Sequence, residues 1–232
     1  MDAHVNNILE ILNNTGLGER GGALLYSGNE TIVKGDWYFL GSNPGGHNDQ
    51  FNEDDKVKNQ LLRTNENFNE YYDGEWISKY TGTVSQPGQQ EHQINIKNLF
   101  KDIGINLKKT CSTNLCFVRS RMEHSYAGDR TRDNELCWQV HEYILSIVKP
   151  KYILCNGSTS RNFISKKLSS NSNHRKMHLQ LTKQLSSTLI EGDLNLRSQN
   201  QVLKNVLLFS VPHLGYYTYY PKSAEWIKNI IT

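Results

Sequence analysis

Apolar residues in this chain follow two patterns, a helical spacing and short continuous runs. Over residues 3–15 they recur every three or four positions and Gly16 follows, which predicts an amphipathic helix. Further helices are predicted from Ile96 to Ile103 with an end at Gly104, from an N-cap at Thr131 to just before Pro150, over residues 158–168, and after Pro221.

Four short, mainly apolar runs predict strands, and the last of them has the continuous apolar character of a strand that is buried on both faces. They cover residues 36–40, 111–118, 152–155 and 206–211. Because predicted helices separate them, right-handed crossovers and parallel pairing are expected. The pattern therefore predicts a three-layer α/β/α fold with a central four-stranded parallel sheet, in a single domain over residues 1–232.

Two polar stretches interrupt this alternation. Residues 47–93 are rich in Asn, Asp, Glu and Gln but also hold several aromatic residues, which is typical of a functional insertion. Residues 169–200 show neither pattern, and their Ser/Asn-rich part predicts a surface loop.

Composition adds little to this picture. The 232 residues are enough for one sizeable core, and the net charge of +3 fits a polyanionic partner without requiring one. The four cysteines contain no C-x-x-C pair, so we expect reduced thiols, a cytoplasmic protein and no disulfide framework or zinc site. The first residues are not basic and no apolar run approaches the roughly 18 residues of a membrane span, so no signal peptide and no membrane partner are expected.

Ligands of parallel sheets bind beyond the carboxyl ends of the strands, so the loops at those ends are the candidate site. The first loop, Gly41-Ser-Asn-Pro-Gly-Gly46, lacks the common phosphate-binding patterns. Asn43 offers one acceptor and two donors, while the proline and glycines fix a sharp turn. A plain strand-to-helix turn explains the same residues.

The last loop, Val211–Tyr220, carries His213 and four tyrosines. A single histidine and a tyrosine cluster are each more often structural than functional, and Asn114 in a strand-like run normally pairs with backbone. Taken one at a time, these loops leave both interpretations open.

In chain order, however, the segments resemble the motifs of the uracil-DNA glycosylase superfamily, from about Trp37 to Tyr220. "GSNPG" is similar to the G-x-N-P-G motif of the mismatch-type and single-strand-selective branches, and "STNLC" to the strand of the base-reading asparagine. "TRDNELCWQVHEYILSIVKPKYILCNG" resembles the helix, Lys-Pro and strand-glycine run, and "SVPHLGYY" the histidine motif. That motif usually reads H-P-S, so Leu214 and Gly215 depart from it.

The resemblance implies three roles. Asn43 would position a water beneath the sugar, Asn114 would read the Watson–Crick edge of an extruded base, and His213 would stabilise the negative charge that develops on the base carbonyl. Such a donor acts as an oxyanion hole does. Asn43 cannot accept the proton of water, so slower turnover is expected than with an aspartate there.

Further residues follow from the same resemblance. Gly41, Ser42, Pro44 and Gly45 would border the base, with Phe51 as the stacking platform. Strict uracil excisers carry a bulky ring where this chain has Gly45, so we expect tolerance for substituents at the pyrimidine C5. A modified viral base is then a conceivable substrate, in phage defence rather than in base-excision repair.

DNA contacts are expected beside the site, since an extruded base leaves a gap in the duplex. Exposed rings of Tyr216, Tyr217 or Tyr219 would fill that gap by stacking, although packing in the core explains them equally well. The phosphate-binding candidates, which are also compatible with a solvated basic loop, are Arg119, Arg121, Arg130 and Arg132.

The resulting hypothesis is a monomeric, monofunctional DNA glycosylase that needs no cofactor. No lysine lies in the motifs to act as a Schiff-base nucleophile. Some branches hold an iron–sulfur cluster on four cysteines, but this chain has no cysteine before Cys111, so no cluster is expected. The alternatives are an inactive modified-DNA binding module of the same fold and an unrelated hydrolase of small nucleosides.

Overall fold

The computed structural model describes residues 3–45, 53–63, 67–77, 82–120, 126, 128–169 and 176–232, in which one mixed sheet carries helices on both faces. The strands are β1 (Trp37–Gly41), β2 (Cys111–Asn114), β3 (Tyr152–Asn156), β4 (Leu168–Ser169), β5 (Lys176–Gln180), β6 (Ser186–Leu196) and β7 (Gln201–Val211). The helices are α1 (Ala3–Thr15), α2 (Val57–Arg63), α3 (Glu70–Asp73), α4 (Glu91–Ile103), α5 (Arg130–Val148), α6 (Ser158–Lys167) and α7 (Pro221–Ile231).

The α/β class predicted from the sequence is confirmed, but the sheet is larger than predicted. Its order is β2-β1-β3-β7-β6-β4, with β5 paired to β6. The four predicted strands pair in parallel with one another, β1 between β2 and β3, and β3 beside β7. The sheet as a whole is therefore seven-stranded and mixed, not four-stranded and parallel.

The additional strands lie almost entirely in the polar stretch, residues 169–200, which showed neither pattern. β6 pairs antiparallel with β7, and β4 and β5 pair antiparallel with β6. β5 has no fully buried residue, and the register of β6 shifts between Gly192 and Leu194. Because β5 is partly exposed to water and β6 is irregular in register, neither strand has a continuous apolar run. The apolar pattern of the sequence therefore did not reveal these strands.

Alternate strand residues supply two separate cores. Tyr38 and Leu40 of β1 pack in a cluster with α1 and α5, whereas Phe39 between them packs in a cluster with α4 and α7. This alternation is what a strand covered by helices on both faces requires. The predicted arrangement of helices on either side of the sheet is thus present.

Several element boundaries differ from the predictions by one to five residues. Helix α5 begins at Arg130, because the Asp129 side chain accepts a hydrogen bond from the Arg132 amide and caps the helix in place of Thr131. Strand β2 ends at Asn114, although residues 115–118 remain buried. β7 begins five residues earlier than predicted, at Gln201, in the polar part of its hairpin with β6.

Candidate functional site

The carboxyl ends of the four parallel strands lie in a row along one edge of the sheet. In that row Asn114 of β2 is in register with Gly41 of β1, and Asn156 of β3 with Val211 of β7. His213 follows two residues later. With strands about 4.8 Å apart, β2 and β7 are about 14 Å apart across this edge. Asn114, Asn43 and His213 are therefore presented at the same edge of the sheet, not on opposite sides of the molecule.

Asn114 has the most unusual side chain of this row. It is 3% exposed, and its Nδ2 has no hydrogen-bond partner among the described residues. A buried donor without a partner costs about 1–3 kcal/mol of stability. Burial raises the pKa of Tyr26, and the neighbouring Asn114 amide partly opposes that rise, but no hydrogen bond of normal geometry joins the two groups.

The Asn114 side chain leaves no room for any residue but glycine at position 41. A Cβ placed on Gly41 would lie 2.3 Å from Oδ1 of Asn114, far inside contact distance. The first glycine of the loop therefore makes room for the base-reading candidate on the neighbouring strand.

A chain of buried hydrogen bonds connects β2 with β1 and α5. Thr113 Oγ1 donates to the Tyr38 hydroxyl at 3.0 Å, and that hydroxyl lies 2.7 Å from His141 Nδ1. His141 Nε2 lies 3.1 Å from the Leu115 carbonyl oxygen, to which only a protonated nitrogen can donate. Burial lowers the pKa of His141 to about 4, so the imidazole is neutral at pH 7.

The loop after β1 is held by the segment that follows β2. The Gly41, Ser42 and Pro44 carbonyl oxygens accept hydrogen bonds from the backbone amides of residues 115, 116 and 120 at 3.0–3.1 Å. Ser42 and Pro44 are buried, so they shape the loop. Gly45 is exposed, and a Cβ there would meet no atom of the described residues within 4 Å.

Asn43 differs from Asn114 in that its amide is engaged by the protein. Its Nδ2 donates to the Pro44 carbonyl oxygen and to Ser120 Oγ, both at 2.9 Å. Its Oδ1 accepts from Arg130 Nη2 at 3.1 Å, and the same nitrogen donates to Ser42 Oγ at 3.0 Å. One lone pair of Oδ1 remains for a further donor.

The predicted phosphate-binding arginines have different surroundings. Arg130 is directed into the loop after β1, as just described. Arg119 is half-buried, 3.9 Å from Asp55, and its charge opposes the rise in the pKa of Glu70 that burial causes. Arg132 is exposed. Arg121, like the stacking candidate Phe51, lies outside the described residues.

His213 is held in one orientation by its own loop. The Gly215 amide donates to His213 Nδ1 at 3.2 Å, so a neutral imidazole carries its proton on Nε2. A Cβ on Gly157 would lie 3.2 Å from this side chain, and Gly157 has φ of 106°. The Leu214-Gly215 departure from the expected motif therefore has a local reason: Leu214 is buried in the core and Gly215 orients the ring.

The tyrosines of the last loop fall into two groups. Tyr216 and Tyr217 are 52% and 46% exposed, which excludes the core alternative for both. The Tyr216 ring lies over His213 with centroids 4.6 Å apart. Tyr219 is half-buried against the core and donates to Asp102 at 2.6 Å, so packing explains it.

Two residues of the site were not found by the sequence analysis, His92 and Asn156. The Asn156 side chain connects His92 on α4 with the loop that carries His213. Asn156 could have been identified, because it follows a predicted strand as Asn43 does. His92 carried no such signal, since it lies on a helix of the polar insertion.

Metal and membrane features complete the description. All four cysteines are free and buried, and burial raises the pKa values of Cys111 and Cys155 to about 12. Within the described ranges, no three His, Cys, Asp or Glu side chains are grouped closely enough to hold a metal ion. The helices seen there also include none with the length and apolar character needed to cross a membrane.

Comparison with known proteins adds no family assignment. No model of a known protein family matches the chain, and a search of curated proteins finds no match either. The resemblance to uracil-DNA glycosylases therefore depends on the quoted motifs alone.

Proposed function

We propose that this protein is a monofunctional DNA glycosylase with a uracil-DNA glycosylase-like fold. It would hydrolyse the N-glycosidic bond of an extruded uracil or C5-modified pyrimidine and leave an abasic site. The observation that carries the proposal is the buried Asn114 amide at the carboxyl edge of the parallel strands, whose Nδ2 donor has no partner in the described part of the chain. Buried donors in native proteins are almost always paired, and a ligand at the strand ends would supply the partner of this one.

A pyrimidine supplies the partners that this amide needs. Uracil and thymine present a carbonyl oxygen and an N–H side by side on the Watson–Crick edge, which match the Nδ2 donor and the Oδ1 acceptor of Asn114. Reaching them requires that the nucleotide leave the duplex, which costs a few kcal/mol and less for mispaired or single-stranded bases.

His213 supplies the donor for the departing base. Because the Gly215 amide donates to Nδ1, a neutral His213 carries its proton on Nε2, and this N–H group would donate to the base carbonyl on which negative charge accumulates. A preorganised donor of this kind contributes about 3–4 kcal/mol to catalysis.

Asn43, whose Oδ1 accepts a hydrogen bond from Arg130, would act on the sugar side. With both Nδ2 hydrogens engaged, Asn43 can orient a water only through the remaining lone pair of Oδ1. It cannot remove the proton of that water, so a modest rate is expected.

Gly45 sets the breadth of the substrate range in this proposal. The absence of any described atom within 4 Å of its Cβ position supports room for a C5 substituent. A glycosylase with that tolerance would serve either base-excision repair or defence against phage with modified DNA.

The experiment is an assay for alkali-labile sites in end-labelled oligonucleotides, single- and double-stranded. The substrates contain uracil, a mismatched thymine, hydroxymethylcytosine or glucosylated hydroxymethylcytosine. We expect strand breaks at the modified position only after alkali. His213→Ala should abolish most of them, whereas His4→Ala, on the remote helix α1, should not.

Each contrary result identifies an alternative. DNA that is bound in a gel shift but never becomes alkali-labile would indicate the inactive binding module. Cleavage of free nucleosides with none of the polymer would indicate a nucleoside hydrolase. Activity on uracil alone would reject the open C5 position.

A further inference from the structure

Asn156 joins the His92 imidazole to the backbone of the loop that carries His213, beside the proposed site. It is 2% exposed at the end of β3, and its Oδ1 accepts a hydrogen bond from the Leu214 amide at 2.9 Å. Since a backbone amide can only donate, the orientation of the Asn156 side chain is determined. Its Nδ2 therefore faces His92 Nε2, at 2.9 Å, and donates to it.

This contact fixes the tautomer of His92. Nε2 accepts a hydrogen bond from Asn156 Nδ2, so a neutral His92 carries its proton on Nδ1. His213 has the opposite tautomer, because its Nδ1 accepts from Gly215. The two adjacent imidazoles, when neutral, therefore carry their protons on different nitrogens, Nδ1 in His92 and Nε2 in His213.

The two rings are also packed together. Their centroids are 5.2 Å apart, and a Cβ on Gly215 would lie 3.0 Å from both His92 Nδ1 and His213 Cε1. Trp76 also packs against His92, with centroids 5.5 Å apart. Rotation of the His213 ring is therefore restricted by two neighbouring rings, His92 and Tyr216.

Helix α4 holds the backbone of the same loop. Asn95, one turn after His92, donates from Nδ2 to the Leu214 carbonyl oxygen at 3.1 Å. The Leu214 amide is bound through Asn156, so both polar groups of the residue after His213 are fixed.

We propose that His92 is a positioning residue for His213. It receives the Asn156 hydrogen bond and holds the His213 ring so that its Nε2–H points to the ligand. The catalytic part of this proposal rests on the proposed glycosylase function, whereas the tautomer and ring orientation do not.

The first test is nitrogen-15 NMR of the histidine rings in the free full-length protein. We expect the Nδ1–H tautomer for His92 and the Nε2–H tautomer for His213. His92→Leu should shift the His213 ring signals. His92→Gln, whose side-chain oxygen can still accept from Asn156, should leave them nearly unchanged. An Nε2–H tautomer for His92, or His213 signals that do not respond to His92→Leu, would overturn the proposal.

The second test is single-turnover cleavage of the best substrate. His92→Leu should slow the chemical step about 10²-fold, as expected for a misplaced catalytic group, with DNA affinity unchanged; the thermal midpoint should fall, because the buried Asn156 Nδ2 loses its acceptor. His92→Gln should restore most of the rate, and His4→Leu is the matched control. Equal rates for His92→Leu and the wild type would reject the positioning role. If the wild type cleaves nothing, the proposed function has failed and the NMR result alone decides this inference.

Discussion

The ends of β1 and β2 lie side by side and each carries an asparagine, but the protein treats the two amides differently. Asn43 bonds to Pro44, Ser120 and Arg130, so its amide stabilises the loop that contains it. Asn114 leaves its Nδ2 unpaired among the described residues, at a cost in stability. A group whose bonds are satisfied internally shapes a site, whereas a buried group that lacks a partner is available for a ligand.

The largest effect is expected from Asn114→Leu, which keeps the approximate shape and removes the unpaired donor. Loss of a base contact should lower single-turnover cleavage about 10²–10³-fold. The free energy of unfolding should stay the same or rise by up to about 1–3 kcal/mol, because the unsatisfied donor is gone. Urea denaturation and the abasic-site assay measure the two quantities.

Asn43→Ala is the matched half of this comparison. It should lose activity and also about 1–3 kcal/mol of stability, because Arg130 and Ser120 lose their partner. If Asn114→Leu lowered the free energy of unfolding as much as Asn43→Ala does, the proposed difference between the two asparagines would be wrong.

Lowering the pH should reduce the free energy of unfolding through His141, which bonds to the segment that follows β2. Its pKa is about 4 in the folded protein against 6.5 in the unfolded chain, so the unfolded state binds more protons between these values. The associated stability is complete above about pH 6.5 and falls by about 3 kcal/mol as the pH drops to about 4. His141→Gln should flatten the slope of unfolding free energy between pH 6.5 and 5; an unchanged slope would contradict the buried neutral imidazole.

Gly45→Tyr tests the β1 side without disturbing the loop, because its Cβ position meets no described atom. A ring there should reject C5-substituted pyrimidines by about 10²-fold and leave uracil cleavage nearly intact. Competition between the two substrates in one reaction gives the ratio directly. Equal loss on both bases would show that position 45 does not face C5.

The smallest effect is expected from Tyr217→Ala, since this ring is exposed and stabilises no core contact. DNA affinity should fall by about 1 kcal/mol, the lower end of a stacking contribution, with no change in thermal midpoint. Fluorescence anisotropy with a labelled duplex measures the affinity. An unaltered affinity would remove Tyr217 from the DNA-contacting surface.

The sequence predicted what depends on local and repeated patterns. Helices α1 and α4 and the parallel pairing of four strands follow from apolar spacing, and the strand-end rule led to Asn43 and Asn114. It missed β4, β5 and β6, because their burial depends on pairing with β7. It also missed His92, whose position beside His213 results from the packing of α4 and not from any motif.

Arg130 shows the same limit of sequence-based prediction at a single residue. Its charge and position in the chain suggested a phosphate contact, but its guanidinium bonds to Ser42 and Asn43. A side chain on the first turn of a helix can point outward or back across the sheet edge. Only the tertiary arrangement decides between these directions.

The proposal that Asn114 Nδ2 donates to an extruded pyrimidine is tested most directly by NMR of the Asn114 side-chain amide. The titrant is a duplex that carries the 2′-fluoro, non-cleavable analogue of whichever base the wild type removes. We expect a downfield shift of one Asn114 amide proton that saturates with DNA and is absent with unmodified duplex. Saturated binding with an unmoved Asn114 amide signal would contradict the assignment of this residue as the reader of the base.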